Sequence, residues 1–262
     1  MELPKEKSKV VDYNPGFTII CGRPKTGKST LMANLEDNLI IDLEDGYKSL
    51  EVLKIQARTY NDLKEIRNLI IQKGIDDGCT RENGKKPYNY ITIDNATRLE
   101  EYCLQEAARL YRDTQVGKSW GKIKDSTGKL VDDPNADVRT LPLGSGYTYV
   151  RMAVSNAIRM FKPLCNHLIL VAHVKDRQIN KDGNDVSEIA IDLAGKLGDI
   201  LCGEADAIGF TYRAANKTIL SFKGGDNIIR EARPLHLRNK EFTVIESDEN
   251  GDLHVDMSQI FI

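Results

Sequence analysis

The run Gly16-Phe17-Thr18-Ile19-Ile20-Cys21-Gly22-Arg23-Pro24-Lys25-Thr26-Gly27-Lys28-Ser29 decides the fold. Phe17 to Cys21 is an apolar run of strand length. It feeds Gly22-x-x-x-x-Gly27-Lys28-Ser29, and Thr30 to Leu35 can continue as a helix. A strand, this glycine-lysine-hydroxyl spacing and a helix form the P-loop pattern in its required context. Glycine lets the backbone curl so that successive N–H groups face one phosphate. The helix start adds its positive dipole end. Gly22 to Thr30 are therefore expected to hold the phosphates of ATP, with Lys28 on the β- and γ-phosphates and Ser29 on Mg²⁺.

With 262 residues the chain can bury the core of one α/β domain. A formal net charge of −2 excludes a globally basic surface, so any nucleic-acid binding must come from local patches. Five scattered cysteines with no C-x-x-C suggest neither a zinc site nor a disulfide framework, and reduced thiols in a cytoplasmic setting are the simplest expectation. The polar start lacks the apolar segment of a signal peptide, and no apolar run nears bilayer length.

The chain then reads as a polar lead-in (1–15), one domain (16–246) and a tail (247–262). Strands are expected at Asn38–Leu43, Val52–Ala57, Tyr88–Asp94 and His167–His173. Asn61 is positioned to cap a helix that Gly74 ends, and Thr97-x-x-Glu100 to open another. Residues 113–146 and 174–192 read as long polar loops. After Ala205 the runs Ala207–Tyr212, Thr218–Phe222, Asn227–Arg230 and Phe242–Ile245 look like antiparallel strands, with Gly224-Gly225 suited to a hairpin turn. Alternating strands and helices imply a mainly parallel sheet covered by helices, with the late strands added at one edge.

Three polar residues stand at expected strand ends, where open α/β sheets handle ligands. Asp94 fits a Walker B acid that holds Mg²⁺ opposite the P-loop hydroxyl. The next residue is Asn95 rather than glutamate, so a water-activating base must come from elsewhere. Glu44 is the best candidate, with Asp42 and Asp45 as alternatives. His173 is placed to touch the γ-phosphate.

Together Gly22–Ser29, Ile41-Asp42-Leu43-Glu44, Ile91-Thr92-Ile93-Asp94-Asn95 and Leu170-Val171-Ala172-His173 resemble the RecA-like core ATPases. Within them the chain looks most like the small phage-encoded recombination and single-strand-annealing ATPases. The resemblance implies an ATP- and Mg²⁺-dependent homo-oligomer, a ring or filament, on single-stranded DNA in the host cytoplasm. A phage single-strand-binding or replication protein is an implied partner. Glu44 becomes the water-activating residue and His173 the nucleotide sensor, and segments 113–146 and 174–192 become DNA-contacting loops.

Composition gives those loops little positive surplus. Lys118, Lys122, Lys124, Lys129 and Arg139 share the first with five acids; Lys175, Arg177 and Lys181 share the second with five. Residues 213–240 are basic instead, with Arg213, Lys217, Lys223, Arg230, Arg233, Arg238 and Lys240. They suit a DNA track or cations inserted into a neighbour's ATP site, for which Lys223, Arg230 and Arg233 are candidates. Trp120 and Tyr147 could stack on bases. The other readings are a RecA-core helicase or packaging-type motor, and a weakly hydrolysing ATP switch or scaffold.

Overall fold

A computed structural model describes residue 3, residues 6–7, 9–181, 184–225 and 227–262, with no side-chain description for 179–181 and 184–186. The first half is β1 (Phe17–Gly22), α1 (Lys28–Ala33), β2 (Asn38–Asp42), β3 (Leu53–Gln56), α2 (Tyr60–Asp76), β4 (Tyr88–Asp94), α3 (Ala96–Arg112), β5 (Lys122–Lys124) and β6 (Leu130–Asp132). There follow α4 (Tyr147–Phe161), β7 (Cys165–Ala172), β8 (Val174–Lys181), β9 (Asn184–Ile191), α5 (Leu197–Glu204), β10 (Ala207–Ala214), β11 (Lys217–Ser221), β12 (Glu231–Ala232), β13 (Glu241–Ser247) and β14 (Leu253–Val255). The central sheet runs β3-β2-β4-β7-β1-β10-β11-β13-β14, with β12 also on β10. From β3 to β10 every pairing is parallel; β11, β13 and β14 continue antiparallel. This is a P-loop NTPase fold.

Side-chain alternation divides the interior. Phe17, Ile19, Cys21, Ile41, Ile91, Ile93, Leu168 and Leu170 point to the face covered by α2, α3, α4 and α5. Ile20, Ile40, Ile169 and Val171 point to the other, where Leu31 and Met32 of α1 meet Leu220, Phe222, Val244 and Ile245. Strands covered on both faces read as unbroken apolar runs, which is why sequence located them.

Several local expectations are corrected. Ala207–Ala214 is not antiparallel to the core but pairs parallel with β1, so the parallel sheet extends one strand further than alternation suggested. Asn227–Arg230 is not a strand; β11 pairs with β13, and Gly225 only bridges to Ile228. Helix α2 is capped by Thr59 with Asp62 in a reciprocal capping box, not by Asn61. It continues past Gly74, where a Cβ would lie 2.8 Å from Pro87 Cγ, so this glycine serves close packing rather than termination. Helix α3 is capped by Asn95. Thr97 and Glu100 instead bind the segment after β9, through the Asp192 carbonyl at 3.0 Å and the Ala194 N–H at 2.9 Å.

The supposed loops have structure. Segment 113–146 holds the β5–β6 hairpin and two short helical turns, anchored by buried Val138 and Leu141. Segment 174–192 is the β8–β9 hairpin; residues 182–183 lie outside the described residues. Residues 247–262 do not trail as a tail: β14 extends the sheet, and Met257 and Ile260 are buried.

All five cysteines are unpaired, and four are buried. Burial pushes the thiols of Cys21, Cys165 and Cys202 up to about 12, and raises that of Cys103 as well. No helix among the described residues is long and apolar enough to cross a membrane.

Because Ile260 is fully buried, Ile260→Ala is expected to cost about 2–4 kcal/mol, read as a lower urea midpoint at unchanged slope. An unchanged midpoint would mean that the last residues do not stabilise the sheet.

Candidate functional site

Strand register builds the site. Asp42 stands opposite Asp94, Asp94 opposite Val171, Cys21 opposite Ala172, and Gly22 opposite Thr211. The carboxyl ends of five parallel strands therefore form one row, and the loops that leave them enclose an open cleft of about 300 Å³. Pro24, Lys25, Gly27, Lys28, Ser29 and Thr30 form one wall, and Asp42, Glu44, Asp94 and His173 face them. Residues selected from four separate sequence motifs thus share one cleft.

The glycines are required by space and conformation. A Cβ on Gly22 would lie 2.2 Å from the Thr211 hydroxyl oxygen. Gly27 has φ +91°, and a Cβ there would meet Ile245 at 2.8 Å. The Lys28 ammonium donates to the carbonyls of Gly22 at 3.0 Å and Arg23 at 2.9 Å. Burial lowers its pKa, opposed by the carboxylates of Asp94 and Glu44. Arg23 points elsewhere and pairs with Asp176 of β8 at 3.0 Å.

Asp94 is almost wholly buried. The Tyr47 hydroxyl donates to its Oδ2 at 2.5 Å, with the Ser29 hydroxyl beside the same phenol. Burial raises the Asp94 pKa to about 6; the Tyr47 hydrogen bond opposes the rise and the Glu44 charge adds to it. No cluster of three or more His, Cys, Asp or Glu able to hold a metal exists among the described residues. The donor set here is one hydroxyl and one carboxylate. That suits Mg²⁺, which keeps several waters and takes phosphate oxygens.

Glu44 is half-exposed, with Oε2 3.8 Å from His173 Nε2 and Oε1 3.9 Å from Arg98 Nε. His173 Nδ1 is buried without a hydrogen-bond partner among the described residues. Asp42 accepts the backbone N–H groups of Glu44 at 3.1 Å and Gly46 at 3.2 Å, and Lys54 reaches its other oxygen at 3.4 Å. Its oxygens are committed to shaping the turn that carries Glu44. Asp45 pairs with Lys48 at 2.6 Å.

Lys223, Arg230 and Arg233 do not line this cleft. Lys223 pairs with Glu241, Arg230 donates to the Lys223 carbonyl, and Arg233 donates to the Gly203 carbonyl. Trp120 packs edge-on to Tyr111, centroids 5.3 Å apart, while Tyr147 stays half-exposed beside Gly144 and Gly195.

Sequence reasoning missed Tyr47 and gave Arg213 no place in the site. A tyrosine three residues after Glu44 was a readable signal, since a buried phenol needs a partner for its O–H. Arg213 lines the cleft with no carboxylate within 4.0 Å among the described residues, and only the register of β10 against β1 reveals it.

A carboxyl with its folded pKa near 6 stabilises the fold fully below its unfolded value, near 4, and loses that contribution as pH rises through 6. In chelator without nucleotide, Asp94→Asn is therefore expected to be about 2–3 kcal/mol more stable than the parent at neutral pH. The gap should close toward pH 4. Urea melts across that range check it, and equal stability at neutral pH would contradict the raised pKa.

No curated protein matches the chain. A family model described as an AAA domain matches residues 17–233, from the start of β1 past β12 and across every cleft-lining residue. The chain therefore belongs to this family of P-loop AAA-type ATPases.

Proposed function

We propose that this protein binds and hydrolyses ATP with Mg²⁺, assembles as a homo-oligomer on single-stranded DNA, and assists phage-type recombination or annealing. The approach of Glu44 to His173, beside Asp94 and across the cleft from Lys28 and Ser29, carries the reading. Glu44 orients and deprotonates water in line with the γ-phosphate. Lys28 and Arg213 neutralise charge on the transferring phosphoryl group, and His173 senses its presence. Bound by Ser29 and Asp94, Mg²⁺ would supply charge neutralisation between the phosphates. Tyr47 holds the Asp94 carboxylate in one orientation.

His173 directly precedes β8, and Arg23 of the P-loop pairs with Asp176 on that strand. Phosphate occupancy can thus bias the β8–β9 hairpin, an arrangement suited to ATP-controlled DNA contact. On the β5–β6 side, Lys118, Lys124 and Lys129 are exposed and have no carboxylate within 4.0 Å among the described residues. They are the cations best placed for a DNA backbone. Lys223, Arg230 and Arg233 remain candidates for acting on a neighbouring subunit.

One observation favours a second reading, a weakly hydrolysing switch that recruits replication proteins. Lys175 pairs with Asp192, Arg177 with Glu188 and Asp199, Lys122 with Asp132, and Arg139 with Asp137. Much of the hairpin charge is already matched internally.

Steady-state ATP hydrolysis with and without single-stranded DNA separates the two. Stimulation that fades with added salt is expected. Lys28→Ala should abolish turnover, and Glu44→Gln should bind ATP but hydrolyse it about 10²–10⁴-fold more slowly. Full activity in Glu44→Gln with loss in Asp42→Asn or Asp45→Asn would move the base. ATP binding with no turnover, with or without DNA, would favour the switch.

A further inference from the structure

The nucleotide cleft occupies the carboxyl ends of the parallel strands. At their opposite ends, beside the starts of β4 and β7, two depressions join into one groove. One lies between α2 and the end of α4; the other lies between the end of α2 and the segment entering β4. They share Ile71, Pro163 and Leu164. Gly74 lets Pro87 approach α2 closely enough to form the far wall.

The lining is one-sided in charge. It holds the cations Lys64, Arg67, Arg81, Lys85, Lys86 and Arg159, and no carboxylate. Among the described residues, Arg67, Arg81, Lys85 and Lys86 have no carboxylate oxygen within 4.0 Å. Lys64 and Arg159 approach one only at 3.7 and 3.6 Å. Lys85 and Lys86 donate to the carbonyls of Asp77 and Pro163, and the Asp77 carboxylate acts on Lys85 only from beyond 4.0 Å. In a chain of net charge −2 this is a local concentration of unmatched positive charge.

The floor is apolar, made by Ile71, Met160, Pro163 and Leu164, and Ile75 stands largely exposed at its edge. Cations over an aliphatic floor suit a chain that carries both carboxylates and apolar side chains. Single-stranded nucleic acid suits it less, because bases gain affinity by stacking on aromatic rings and none lines this groove. We propose that the groove between α2 and α4 docks an acidic segment of a partner protein, with its carboxylates on Arg67, Arg81, Lys85 and Lys86 and its apolar side chains on Ile71 and Leu164. The docking face lies at the far end of the sheet from the ATP cleft, so both sites can be occupied together.

The test is fluorescence anisotropy on the full chain with a labelled peptide that alternates aspartate and leucine. A peptide with lysine in place of aspartate and an oligothymidylate serve as comparators. Arg67→Glu with Lys85→Glu is expected to weaken acidic-peptide binding at least about tenfold. The charge-matched Lys7→Glu with Lys9→Glu, exposed ahead of β1 and outside the groove lining, should leave it unchanged. ATP turnover without DNA should persist in both, since neither pair touches the cleft. If the groove variant does not fold, Arg81→Glu with Lys86→Glu tests the same surface from the loop. Equal loss in both charge-reversed pairs, or no binding of the acidic peptide, would overturn the proposal. Oligothymidylate binding lost only in the groove variant, without peptide binding, would assign the groove to nucleic acid and overturn it. So would a change of oligomeric state in that variant without peptide binding, which would give the face to a second copy.

Discussion

The P-loop rests directly on strand β10, and this close approach is the constraint behind the site. Gly22 and Thr211 are register partners with no room for a Cβ between them. The Thr211 hydroxyl donates to the Cys21 carbonyl at 3.1 Å and lies 2.8 Å from the Thr26 hydroxyl, so β10 shapes the loop from below. Gly27 leans on Ile245 and Thr218 of the antiparallel extension in the same way. The late strands are thus the bed of the phosphate-binding loop rather than an appendage, and one of them adds Arg213 to the cleft.

The fold was legible where burial on both sheet faces forces a continuous apolar run, as in Phe17–Cys21, Ile91–Ile93 and Leu168–Ala172. It was less legible where tertiary context decides. Nothing local in Ala207–Tyr212 tells whether it joins β1 in parallel or starts a hairpin; Gly22 against Thr211 settles that. Nor does the sequence of 174–192 look like a strand pair: a ladder of backbone bonds and ion pairs runs along it, and its described apolar residues, Val174, Ile189, Ala190 and Ile191, pack at the base. Lys28, Ser29, Asp94, Glu44 and His173 could be proposed because a strand's carboxyl end is a fixed place in this architecture. Tyr47 and Arg213 reach the cleft by turn geometry and strand register, which leave no short motif.

Two contacts join the nucleotide cleft to the β8–β9 hairpin. One is Glu44 to His173 at the foot of β8; the other is Arg23 to Asp176 three positions further on. Both are exposed enough that water screens them, so each is individually weak. Weak links leave the hairpin free to shift, whereas the buried Tyr47–Asp94 hydrogen bond holds that carboxylate in place.

The burial of four thiols leaves Cys79, partly exposed, as the one cysteine open to thiol reagents. It stands in the wall of the basic groove, away from the phosphate-binding loop. A maleimide dye or a photo-crosslinker would therefore attach at a single native position in the folded chain, with no engineered cysteine and no blocking mutations. The molecule carries its own reporter site at the mouth of the surface whose occupancy is in question.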